Sequence, residues 1–144
     1  MIEKDTVRLL RECDAGIKMG IESIDEVIPS VRNKELKELL DDCRDEHSKL
    51  MQETTGLLEE YGDEGKEPNV MAKGMSWLKT NVMLGMDASD ATVADLMTDG
   101  CNMGVKSLSK YLNKYAAADE KSKDITKRLI TVEERLSVDM RDFL

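Results

Sequence analysis

The feature that most constrains this chain is the spacing of its apolar residues, which recur every three or four positions over long runs. The first run takes in Val7, Leu10, Ile17, Ile21, Ile24 and Ile28, with Asp14 as its one polar member. In the second, Leu36, Leu40, Cys43, His47, Leu50, Thr54, Leu57 and Tyr61 step alternately by four and by three. Such spacing lines up one face of an α-helix, and burying that face is what drives the helix to form. No run alternates as a half-buried strand would.

Prolines and glycines set the ends of the runs. Pro29 and Pro68 are the strongest breaks, because proline removes an amide donor and clashes inside a helix. Gly62 and Gly65 bracket a turn, and Gly85 with the cluster 87–90 marks another stop and start. The weakest break is 116–119, where three alanines could continue a helix but the apolar pattern resets. The spacing therefore predicts helices over about 3–28, 33–61, 68–85, 89–115 and 119–143. Asn33 is a suitable N-cap for the second. The short segment 68–85 carries Met71, Met75, Leu78 and Val82 on one face, with Trp77 beside it. The segment 89–115 shows Val93, Met97, Cys101, Gly104, Leu108, Tyr111 and Tyr115. The last shows Ile125, Leu129, Val132, Leu136, Met140 and Phe143.

Four segments of matched length, each roughly 38 Å as a helix, suit a bundle. The segment 68–85 would span roughly 27 Å and falls where a ferritin-like bundle carries its crossover. Five helices packed up and down are the alternative. A chain of 144 residues fits one domain, 1–144, and 40% hydrophobic residues are enough for its core. The charge of −9 is interspersed with Lys and Arg, which favours a solvated surface and argues against nucleic-acid binding. The start, MIEKDTVRLLREC, has no apolar core of a secretory signal, and no stretch reaches the ~20 apolar residues of a membrane span. Three cysteines make no disulfide framework. The expectation is a cytoplasmic protein that does not engage a membrane, with a homo-oligomer (a dimer) or a protein partner as its assembly.

Bundle geometry also assigns levels. If the first two helices meet near residue 30, residue n of one lies opposite about 60 − n of the other, so Asp14 lies level with Glu46 and His47. If the last two meet near 117, Cys101 lies level with about 132–133. Asp14, Cys43, His47, Cys101 and Glu133 then gather at mid-height, where bundles build metal and cofactor sites. Packing alone also accounts for them. Cysteine is a small buried filler, and one carboxylate, Asp14 here, can satisfy a core histidine. Gly16 and Gly20, with Gly100 and Gly104, sit at the same level. Each glycine costs ~1 kcal/mol in a helix, which close helix approach or room for a ligand would explain.

Three stretches carry a resemblance: Leu9-Leu10-Arg11-Glu12-Cys13-Asp14-Ala15-Gly16, Ser76-Trp77-Leu78-Lys79 and Asp99-Gly100-Cys101-Asn102. In their order and spacing the chain resembles a small bacterial ferritin-like family of unknown function, distantly related to rubrerythrins and ferritins. The resemblance implies an all-α, antiparallel four-helix bundle with a crossover helix. It also shows where a di-iron motif has degenerated. Ile17 stands where the first helix would give a glutamate, and Cys101 stands at the third-helix position. Arg44 precedes His47 at i−3 in place of Glu. Glu133 and Glu134 are followed at i+3 by Leu136 and Ser137, not His.

One histidine excludes centres built on several imidazoles. A haem held by His47 with Met51 or Met103 lacks a Cys-x-x-Cys-His attachment. The reading that follows is a non-catalytic bundle with a scaffold, assembly or partner-binding role, no cofactor and no intact di-iron centre. Two alternatives stand beside it. One is a single zinc or iron ion held by His47, Cys43 and Cys101 with Asp14 or Glu133. The other is a redox enzyme on a partial iron site.

Overall fold

The computed structural model describes residues 2–66 and 89–144. The helix expected over 68–85 lies outside the described residues. Within them the chain forms four long helices and no strand: α1 (Ile2–Val27), α2 (Lys34–Glu60), α3 (Asp90–Lys114) and α4 (Glu120–Asp139). The expected boundaries hold to within a residue or two, except at the C-terminus. There the backbone tightens after Asp139 into a 3-10 turn, Met140–Phe143. A similar turn, Ile28–Ser30, follows α1 and accommodates Pro29 in its first positions.

Side chains close the helix starts. The Asn33 carboxamide oxygen accepts from the Leu36 amide at 3.1 Å, and Asp119 accepts from the Ser122 amide at 2.8 Å. Ser89 does the same for Thr92 at 3.2 Å. Each satisfies an amide that the first turn leaves without a helical partner.

Cross-helix contacts fix the directions. Between α1 and α4, Thr6 Oγ1 accepts from the Asp119 amide and Cys13 meets Thr126, each pair 113 residues apart in sequence, so these helices run parallel. Between α2 and α4, Arg128 pairs with Glu53 and Arg135 with Glu46. Residue numbers rise on one helix as they fall on the other, so these two are antiparallel. Helices α1 and α2 form a hairpin. Asp90, opening α3, accepts from the Arg32 and Asn33 amides at 2.8 and 3.0 Å, so α3 begins beside the α1–α2 turn. Helices α2 and α3 thus start at the same end and run the same way. The main packing partners are α1 with α2, α3 with α4, α2 with α4, and α1 with both α3 and α4.

One continuous core joins all four helices, with Leu10, Ile17, Ile24, Leu40, Leu108 and Leu129 among its members. A smaller cluster of Leu9, Tyr115 and Ala118 closes the end where α3 turns into α4. Among the described residues, no helix is long and apolar enough to cross a membrane.

Candidate functional site

His47 reaches the interior because it occupies one step of the four–three apolar series of α2. It is 2% exposed. Its Nδ1 lies 2.8 Å from the Cys43 carbonyl oxygen, one turn earlier on the same helix, which requires a hydrogen on Nδ1. The Cys43 thiol lies on the same side of the ring, 3.6 Å from Nδ1. Nε2 therefore points the other way, across the bundle to α4, where Glu133 Oε1 stands 4.0 Å away. That gap is too wide for a direct hydrogen bond. His47 Nε2 and Glu133 Oε2 are both buried and have no hydrogen-bond partner among the described residues.

Two glycines make room for this pair. A Cβ on Gly20 of α1 would lie 2.5 Å from His47 Nε2, and one on Gly104 of α3 would lie 2.8 Å from Glu133 Cδ. Any larger residue at either position would displace the imidazole or the carboxylate. Gly16 and Gly100 meet no such obstruction. The four glycines thus divide. Gly20 and Gly104 admit the polar side chains, while Gly16 and Gly100 leave open the walls of a cavity between α1 and α3. The cavity measures about 120 Å³. Ile24, Met97, Leu108 and Leu136 make its sides apolar, and His47 and Glu133 lie at its buried end.

Burial opposes a charge on His47, but the Cys43 and Glu133 contacts outweigh it and raise its pKa to about 10. Burial raises the Glu133 pKa, and His47 offsets this only in part. With its pKa near 10, His47 carries hydrogens on both ring nitrogens at neutral pH, so Nε2 is a donor on the side that faces Glu133.

The other candidates lie elsewhere or are inert. Asp14 is 3% exposed but does not face His47. It accepts from the Lys66 amide and pairs with the Lys18 ammonium, both at 2.9 Å. The levels expected for the first hairpin carried no side-chain tilt. Side chains lean toward the N-terminus of their own helix, so on antiparallel neighbours Asp14 and His47 lean to opposite ends. The partner expected at Asp14 is Glu133. Cys101 is buried near Glu133; burial first, then the charges of Glu133 and Cys43, push its pKa well up. Cys13, which sequence reasoning did not single out for the site, is fully buried 3.1 Å from Thr126 Oγ1, and burial raises its pKa to about 12. Neither has the exposed, electropositive setting of a reactive thiol.

A ferritin-type di-iron centre does not fit these residues. It needs several carboxylates and two imidazoles, and the buried end of the cavity supplies one of each. Among the described residues no three His, Cys, Asp or Glu side chains converge as a metal-ligand group. Cys43 could not share an ion with His47 Nε2, because it contacts the opposite side of the ring.

Comparison with known proteins finds no matching family model, no similar curated protein and no similar solved structure.

Proposed function

We propose that this chain is a non-catalytic binding protein, built as a ferritin-like bundle without an intact di-iron centre, that takes a small molecule between α1 and α3. The observation that carries this reading is the buried end of the cavity, where an imidazole nitrogen and a carboxylate oxygen have no partner among the described residues. Leaving such atoms unpaired costs ~1–3 kcal/mol each, which a water or a ligand group that pairs with them would recover. The ferritin-like topology draws support from helix direction. Parallel α2 and α3 are the arrangement of a ferritin-like bundle, and equally of five helices packed up and down.

Native mass spectrometry and elemental analysis of protein purified without added metal test this together. The expected result is a small organic adduct, released on denaturation, with no stoichiometric metal. A stoichiometric transition metal would overturn this reading.

A further inference from the structure

The cavity's chemistry narrows its occupant, on the reading just proposed. His47 Nε2 and Glu133 Oε1 are 4.0 Å apart, too far to bond and spaced for one oxygen between them, while the orphaned atom of that carboxylate is Oε2. An oxygen about 2.8 Å from each would see them at an angle near 90°, acceptable for a group that accepts one hydrogen bond and donates another. Nε2–H donates to the oxygen, and the oxygen's own hydrogen goes to the carboxylate.

The alternatives are less well matched. A second carboxylate or a phosphate would face Glu133 at the buried end, and two close carboxylates cannot both ionise cheaply. A wholly apolar molecule would leave Nε2 and the carboxylate unpaired. The walls are apolar, with Ile24, Met97, Leu108 and Leu136 around the pair. The volume of about 120 Å³ is close to that of cavities that hold a single benzene-sized ring. Met103, half exposed, lies at the mouth and leaves room for a body that projects further.

We propose that the site takes a small uncharged alcohol or phenol, its hydroxyl bridging His47 Nε2 and the Glu133 carboxylate and its hydrocarbon body lying between α1 and α3. Gly20 and Gly104 hold the receiving pair in place, since a Cβ at either would enter the space of Nε2 or of the carboxylate.

The test uses phenol and toluene, which match in shape and differ in the hydroxyl. Each is titrated into the full chain while the backbone amide signals of Gly20 and Gly104 are followed by NMR. The expected result is saturable shifts with both, and phenol bound at least about tenfold more tightly. The variant Glu133→Gln, nearly the same shape, should shrink that preference severalfold with far-UV circular dichroism unchanged. Equal affinities for phenol and toluene would overturn the hydroxyl bridge and leave the binding cavity standing. No saturable shift with either, up to their solubility, would overturn both the bridge and the small-molecule reading beneath it. If Glu133→Gln does not fold, the comparison on the unmodified chain decides alone.

Discussion

Replacing Gly20 by alanine should not stabilise this protein, although it sits inside a helix. The new Cβ would lie 2.5 Å from His47 Nε2 and 2.7 Å from Cδ2, where ordinary contact begins near 3.4 Å. The ring must retreat by about 0.9 Å, and its hydrogen bond from Nδ1 to the Cys43 carbonyl resists that. Overpacking of this kind costs ~1–3 kcal/mol, against ~1 kcal/mol gained in helix propensity. The net expectation is a loss of about 0–2 kcal/mol. Gly56, inside α2, is the control: a Cβ there would meet nothing within 4 Å, and the same change should gain about 1 kcal/mol. Urea unfolding of both variants, with slopes checked for equality, gives the two differences directly. A Gly20→Ala protein stabilised as much as Gly56→Ala would refute the placement of the imidazole against α1.

Four further outcomes follow from the same geometry. Stability should fall by a few kcal/mol as pH rises from about 6.5 to about 10, read by urea unfolding at intervals of one pH unit. His47 binds its proton more tightly folded than unfolded, so its contribution is complete below its unfolded pKa and lost through its folded one. Glu133, also raised, acts in the same direction. The groups acting on His47 are Glu133 on α4 and Cys43 on its own helix; Cys101 on α3 lies near Glu133, and α1 presents uncharged Gly20. Stability that rose over this range would contradict the pairing. Asp14→Ala should cost about 1–3 kcal/mol in the same assay, because it removes the acceptor of the Lys66 amide and one ion pair of Lys18. Asp119→Ala, which removes the cap on the Ser122 amide, should cost about 1 kcal/mol, seen as a lower urea midpoint. Cys13 and Cys101 should react with a disulfide reagent such as dithionitrobenzoate far more slowly in native protein than in urea. Equal rates would show that burial does not protect them.

The helices were legible because their signals are local. The four–three spacing of Leu36 through Tyr61 marked out α2 to within a residue, and Asn33 announced its start. The level of Glu133 was also readable, from the turn near 117 and a rise of fixed size per residue. What a one-dimensional register could not carry was side-chain direction. Asp14 and His47 lean to opposite ends, and His47 meets the α4 carboxylate instead. The glycines were ambiguous for a similar reason. Sequence shows that Gly20 and Gly104 are costly, but the side chains that need their space, His47 and Glu133, come from the other two helices. Helix direction, up for α1 and α4 and down for α2 and α3, emerged only from pairs such as Cys13–Thr126 and Arg128–Glu53, far apart in sequence.

The central claim is that His47 Nε2 is a buried, unpaired contact point for a ligand's hydroxyl. Because the chain has one histidine, a long-range proton–nitrogen NMR spectrum contains a single imidazole and needs no assignment. At neutral pH the account predicts a hydrogen on Nδ1 with and without ligand, and an Nε2 resonance that moves saturably as phenol is added. An Nε2 resonance that stays fixed while phenol saturates the glycine amides, or a ring protonated only at Nε2, would contradict it.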